Sequence, residues 1–518
     1  MQGVYEKTAR NYDFFEGRQW EGLISNGYNP PVENVIKQIV KHKYNTISMQ
    51  DIEIIFTSSE NGSEQITKLL NEFMEQFWEE KKMYSQMWKV NKACHIAGDS
   101  YLYFYDKGIG GKSDVDCQLV DNTNIYFEDE REPDIQKQKY IIISQRFNVE
   151  DIKKIALANG IDELEVDLIV SDEEAETKNK PFYDNSKNKK VTGLLYLYME
   201  NDQLHYIKCV RNVIYEKENT KLSLYPIAKL ICNEKKGSAR GIGEVEPLIN
   251  NQIEINKTLW RRSECIKNSA FPYKVVNETA VANTEDLKKA GATIKVRGNI
   301  QDVGNIVKYI APSYIGNDAK EFSDELIMMT KELNNSGDGA TGQIDPTKAS
   351  GAAVQAVTQQ ANVSSSEQMA AYKQFVEDVG YIFLNFVKTY NPDGVSIVTS
   401  DGVKIVKPSD IENVKLKINI SQATPFNKWA VESELKSLFQ AGLITFEEFV
   451  NSLDENAMIP KNKLLKILEN RNEAVQKDEI IKKLIEVISK YEMNDVSKIT
   501  TEENNFKLPN NEGEIKNV

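Results

Sequence analysis

The chain has 518 residues, 40% of them hydrophobic, which is more than a single core organises and enough for three or four structural units. Its 64 Lys and Arg against 78 Asp and Glu leave a net charge of −14, so the surface as a whole repels nucleic acid, which argues against tight DNA wrapping. The five cysteines, odd in number, widely spaced and without a CxxC pair, argue against a disulfide framework and against a zinc knuckle.

The N-terminal MQGVYEKTARNYDFF lacks the basic-then-apolar order of a signal peptide, and no window is apolar enough to span a membrane, so a soluble product of a reducing cytoplasm is expected. Val35, Ile36, Ile39, Val40 and Ile47 recur at helical spacing, and Ile66, Leu69, Leu70, Phe73 and Phe77 mark a second helix. DIEIIF between them alternates like a strand. From residue 101 to 232 the pattern turns to β, with YLYFYD, CQLVD, NIYF, YIIISQRF, LLYLYM, QLHYIK and YPIAKLI between polar turns. One helix, near residues 149–158, interrupts them. Residues 171–190, SDEEAETKNKPFYDNSKNKK, have no apolar face to bury and read as a mobile excursion.

A helical run follows Gly243, and over residues 244–268 it would be about 37 Å long. A short mixed segment comes next, with strand candidates YKVV and TIKV around the helix-like TEDLKKAG, and then a helix over about residues 318–334 carrying Phe322, Leu326, Met329 and Leu333. The glycines and Asp345-Pro346 of residues 336–351 disfavour helix and predict a loop. A long helix resumes, with Phe375, Val379, Phe383 and Phe386 on one face; Ser364, Ser365 and Ser366 before Glu367 resemble a capping box where it can kink or restart. Strands VSIVTS, KIVK and VKLKINI follow, then helices from Trp429 to about Tyr491, and a polar tail that reads as disordered.

Catalytic and metal chemistry find little footing. DKGIGGKS, residues 106–113, has Asp106 where a phosphate-binding loop needs Gly and lies between two strands, so it reads as a hairpin turn. His42, His95 and His205 have no second His or Cys at ligand spacing, and adjacent Cys94 and His95 face different ways on a helix. Carboxylate pairs such as Asp114 and Asp116 are commonplace in an acidic chain.

Three phrases carry a resemblance: YDFFEGRQW with NPPVENVIKQIVKHKYNTI near the start, GIGEVEPLINNQIEINKTLWRRSECIKNSAFP in the middle, and SGDGATGQ with ASGAAVQAV after the second long helix. In this order and spacing they resemble the portal proteins of tailed bacteriophages, most closely the long, uncleaved type of phages of Gram-positive bacteria. The resemblance covers most of the chain; residues 171–190 depart from the family pattern. It implies a helix-rich, mixed α+β protein without cofactor or enzymatic activity. Such proteins form rings, usually of twelve subunits, at one capsid vertex of the virion, assembled in the host cytoplasm and not in a membrane. Double-stranded DNA passes through during packaging and ejection, and the partners are the large terminase, the major capsid and scaffolding proteins and a head-tail adaptor.

Carried onto this chain, the resemblance places the wing at residues 1–240 and 392–424, the stem helices at 241–269 and 317–335, and the clip at 270–316. It places a tunnel loop at 336–351, a joining helix at 352–391, a crown at 425–493 and a disordered tail at 494–518. Gly337, Asp338, Gly339, Thr341, Gln343 and Lys348 would then meet DNA, one cation among anions on a flexible backbone. Phe271, Tyr273, Val275 and Val276 would face terminase and adaptor. Two other readings stay open on sequence alone: a nucleic-acid enzyme with an unrecognised motif, and a minor capsid or scaffold protein.

Overall fold

The computed structural model describes residues 2–20, 30–49, 51–58, 64–108, 113–172, 190–211, 213–270, 273–276, 279–288, 293, 295–297, 307–310, 317–334, 365–399, 402–411, 414–421, 425–453, 461, 463–466 and 468. They fall into two units, residues 1–421 and 422–518.

In the first unit, α1 (Gln2–Glu16) and α2 (Val35–Ser48) precede β1 (Asp51–Ser58), and α3 (Glu64–Glu80) and α4 (Met83–Ala97) follow it. The start of α2 is set by Asn34, whose side-chain oxygen accepts from the Lys37 N–H at 2.9 Å, satisfying one of the orphan donors of the first turn. Phe14 and Phe15 of α1 pack against the apolar stripe of α2, so the first two helices share one core.

The β region opens with β2 (Asp99–Asp106), β3 (Val115–Val120), β4 (Ile125–Phe127) and β5 (Tyr140–Asn148). The helices α5 (Val149–Ala158) and α6 (Glu163–Asp167) come next, then β6 (Lys190–Glu200), β7 (Gln203–Val210), β8 (Val213–Asn219) and β9 (Ile227–Ile231). These strands make two antiparallel sheets, ordered β3-β2-β9 and β4-β5-β6-β7-β8. Tyr101, Leu102 and Phe104 of β2 are all buried, as befits a central strand covered on both faces. β2 and β3 pair antiparallel, Asp106 opposite Val115, as the two arms of the hairpin that the sequence predicts.

Beyond the sheets come α7 (Ile249–Ala270), the ribbon of β10 (Tyr273–Val276) and β11 (Val307–Ile310), α8 (Asp318–Leu333) and α9 (Ser366–Tyr390). The unit ends with β12 (Val395–Thr399), β13 (Gly402–Val406) and β14 (Val414–Ser421). β14 returns to pair antiparallel with β1, Asp51 opposite Ser421 through Ser58 opposite Val414, which fastens the end of the unit to its beginning. α9 lies over this pair. A Cβ on Gly380 would strike the tip of the Leu416 side chain, so helix and ribbon are in close contact. Phe375, Val379, Phe383 and Phe386, the face marked by periodicity, are all buried in the largest core together with α3, β2 and β9.

The second unit contains α10 (Pro425–Gln440) and α11 (Phe446–Ser452). A capping box starts α11: Thr445 Oγ1 accepts from the Glu448 N–H at 3.2 Å and Glu448 Oε2 accepts from the Thr445 N–H at 2.8 Å. Phe449, Val450 and Leu453 form its core with Leu435, Ile444, Phe446, Leu464 and Leu465.

Several expectations need correction. Of TIKV, whose Ile294 lies outside the described residues, Val296 makes a single bridge to Val281, and the strand paired with YKVV is residues 307–310, a run too short for alternation to mark. The helix-like TEDLKKAG begins with a 3-10 helix, Thr284–Lys288, as expected. Ser365 flanks α9 without a side-chain cap. The helices α1, α4 and α6 and strand β8 are additions. Residues 173–189, 335–364 and 469–518 lie outside the described residues, and with them most of the 171–190 segment, the entire predicted loop and the tail.

Candidate channel and docking segments

The two long helices on which the family resemblance turns, α7 and α8, pack against each other: Asn251 Nδ2 donates to Thr330 Oγ1 at 3.0 Å, and Leu326 and Ile327 of α8 lie against the core that holds Ile249 and Ile255 of α7. The α-helical part of the first is the 22 residues of α7, about 33 Å, preceded by a 3-10 turn at Glu246–Leu248. Its N-terminal half is rooted in the first unit. Gln252 and Asn256, one turn apart and both buried, reach into the start of α2. Gln252 Oε1 accepts from Val35 N–H at 3.0 Å and Ile36 N–H at 3.3 Å, while its amide donates to the Glu33 carbonyl at 2.6 Å. Asn256 Oδ1 accepts from Glu33 N–H at 3.3 Å. NPPVENVIKQIV and INNQIEIN, two of the phrases that carried the resemblance, therefore meet in space.

The chain enters α7 through a close backbone crossing. A Cβ on Gly243 would lie 2.5 Å from the Ile96 carbonyl oxygen, and one on Gly98 2.6 Å from that of Gly241, so these glycines are required by the approach of α4's end to the GIG turn. Just beyond it, Glu244 sits at the centre of a buried polar cluster. Lys43 Nζ of α2 donates to Glu244 Oε2 at 2.7 Å; Asn233 Nδ2 at 3.0 Å and Gln368 Nε2 at 2.5 Å donate to Oε1. Burial alone would raise the Glu244 carboxyl, but the Lys43 ammonium, helped by Asn233 and His95, holds it below the usual range. Gln368 lies in the first turn of α9, so this carboxylate joins the approach to α7, the end of β9 and the described start of α9.

His95 is fully packed beside this cluster. Its Nδ1 donates to the Asn91 carbonyl at 2.9 Å, so Nε2 carries the lone pair, and Nε2 has no hydrogen-bond partner among the described residues. Burial lowers its pKa from the ordinary 6.5, against the opposing pull of Asn91 and Glu244. A lowered imidazole means that the unfolded chain takes the proton first, so stability held by neutral His95 is complete above about pH 6.5 and drains as pH falls. His42, lowered by burial and by Lys43, has the same sign; Asp378, pushed up to about 6 by burial, has the opposite one. His95→Gln should therefore shrink the change in Tm between about pH 7 and about pH 5.5 relative to the parent chain, as measured by calorimetry. An unchanged slope would remove His95 from the titration.

Of the residues expected to face terminase and adaptor, Phe271 lies outside the described residues. Tyr273, Val275 and Val276 share β10, opposite Ile310, Lys308 and Val307. Val275 is 52% exposed. Gly337, Asp338, Gly339, Thr341, Gln343 and Lys348 also lie outside the described residues.

Sequence reasoning passed over Glu244, Gln252, Asn256 and Arg240. The signal for two of them was present: Gln252 and Asn256 interrupt the stripe of Leu248, Ile249, Ile255 and Leu259 with polar side chains one turn apart. Arg240 Nη1 and Nη2 each donate to a backbone carbonyl, of Asn122 and Ile125, at 2.7 Å, while Nε donates to Glu130 at 3.0 Å and Nη1 to Asp99 at 3.3 Å.

A cleft of about 810 Å³ opens between the two larger sheets. In its lining Tyr206 donates to Glu216 at 2.5 Å and Glu218 at 2.7 Å, and Lys208 donates to Glu216 at 2.8 Å. Among the described residues no group of three or more His, Cys, Asp or Glu is placed to hold a metal ion, and no helix is long and apolar enough to cross a membrane.

No curated protein matches the chain. The family model described as phage P22-like portal protein matches residues 2–420, ending within β14, where the first unit also ends. Its span includes all three phrases of the resemblance, and the chain belongs to the phage P22-like portal protein family.

Proposed function

We propose that the chain is one subunit of a portal ring, usually of twelve copies in such proteins, set at a capsid vertex and traversed by double-stranded DNA during packaging and ejection. The observation that carries this reading is the family match over residues 2–420. In this reading α7 and α8 are the stem, the β10–β11 ribbon belongs to the clip, α9 belongs to the helix that joins the tunnel loop to the wing, and residues 1–240 and 392–424 are the wing. Residues 336–351 are the tunnel loop and α10 and α11 belong to the crown.

The rooted N-terminal half of α7 supports the stem assignment, because a helix that carries load must be tied to its base. A ribbon of two four-residue strands between the stem helices supports the clip assignment, since it offers strand edges to a neighbouring copy, to the large terminase or to a head-tail adaptor. Major capsid and scaffolding proteins would meet the outer wing. The net charge of −14 suits a conduit that must not hold its cargo. No cofactor is needed, and the force comes from the terminase.

The test combines assembly and contact. Light scattering and negative-stain imaging should give closed rings, and single cysteines in place of Gly339 or Gln343 should crosslink to DNA stalled in a packaging complex. A chain that stays monomeric at every concentration would remove the ring. Free labelling of both cysteines from outside, with no DNA adduct, would remove the loop assignment.

A further inference from the structure

The helices α5 and α6 bury one side each, and the other side sets large apolar side chains among its charged residues. Val149, Ile152, Ala156, Val166 and Ile169 pack with Val191, Val210, Val213 and Tyr215 of the five-stranded sheet. On the outer side, Leu164 and Leu168, one helical turn apart, are 76% and 62% exposed, and Leu157 and Val170 are each 48% exposed. An ion pair between Lys153 and Asp167, 3.3 Å, holds α5 beside α6. Leu157 is one turn on from Lys153 and Leu164 three residues before Asp167, so these apolar groups belong to one surface. Apolar side chains scattered singly over a surface need no explanation, whereas a group of them does.

Charge indicates what covers this surface. Asp162, Glu163 and Glu165 are exposed among the leucines, and with Glu150 and Asp151 they outweigh exposed Lys154, Lys153 being paired with Asp167, so the surface is acidic on balance. Two copies placed face to face on it would set carboxylate against carboxylate, which disfavours a two-fold pairing through this surface. A helix with an apolar stripe flanked by Lys and Arg meets both features, its stripe on the leucines and its cations on the rim.

We propose that the outer face of α5 and α6 is a docking surface for a basic amphipathic helix of another protein. The interaction needs only the fold of the first unit, so it stands or falls separately from ring formation.

The probe is a synthetic, fluorescently labelled Leu/Lys amphipathic peptide of about five helical turns, titrated into the full-length chain at physiological salt. Binding should be saturable, should protect residues 157–170 from hydrogen exchange, and should weaken at least ~tenfold when Leu164→Ser and Leu168→Ser are combined. Both leucines are largely exposed, so the double variant keeps its fold, which circular dichroism checks. Glu163→Gln with Glu165→Gln should weaken binding and flatten its dependence on salt. Equal binding of a scrambled peptide of the same composition, or an unweakened double leucine variant, would overturn the proposal. So would self-association of the parent chain that the leucine variant abolishes, because that outcome gives the surface to a second copy.

Discussion

Arg240→Ala should destabilise the first unit by about 3–5 kcal/mol, the range for removing one partner of a buried ion pair. The guanidinium joins segments far apart in sequence: Asp99 at the start of β2, the carbonyls of Asn122 and Ile125, and Glu130. It also lies over the Phe127 ring, 4.9 Å from the centroid. Removing it leaves Asp99, which is 2% exposed, with the Tyr101 hydroxyl and the Asn122 amide as its side-chain donors among the described residues. Burial works against the charge of Arg240, yet Tyr101, Glu130 and Asp99 outweigh it and raise its pKa, so the cation persists at any pH at which the chain folds. Arg240→Lys should recover only part of the loss, because an ammonium cannot reach two carbonyls and two carboxylates at once. Urea unfolding followed by circular dichroism measures both variants. An alanine variant as stable as the parent would mean that desolvation cancels the whole network.

Phe383→Ala should cost about 3–5 kcal/mol as well, through lost transfer energy and the cavity left behind. The ring is 1% exposed and touches two aromatics of α3, with centroids 5.4 Å from Phe73 and 4.8 Å from Phe77. It therefore binds α9 to a helix some three hundred residues earlier. Tyr381, on the same helix but 42% exposed, is the internal control, and its alanine variant should stay within about 0.5 kcal/mol of the parent. Thermal unfolding in which the two variants behaved alike would show that α9 is not a core element.

The sequence made these two sites visible to very different degrees. Phe383 belongs to a repeated apolar face, and periodicity is the property that single sequences display best. The strands from Tyr101 to Cys232 were legible for the same reason, as were both long helices around the ribbon. Arg240 carries no such mark, because its partners lie 110 to 141 residues away and only the folded chain shows them. Glu244 and Gln368 are separated by 124 residues and meet for an equally non-local reason. β8 was missed because Val213 and Tyr215 are buried while Ile214 is exposed and charged residues complete the strand, so its hydrophobic alternation is faint. The residues expected to touch DNA stood out by composition alone, glycines and short polar groups, and composition does not fix their placement.

The pairing of β1 with β14 also sets a clock. A ribosome that has made Asp51 must add 421 − 51 = 370 further residues before its partner Ser421 exists. At about 5–20 residues per second this takes roughly 20 to 70 s. Throughout that interval one edge of β1 has no strand from its own chain to receive its N–H and C=O groups, and a nascent strand edge is a template for whatever chain is nearest. On a message read by many ribosomes the nearest chain is another copy at the same stage. Chains cut short before Val414 keep that edge open for good and should collect in the insoluble fraction, whereas chains ending just after Ser421 should not.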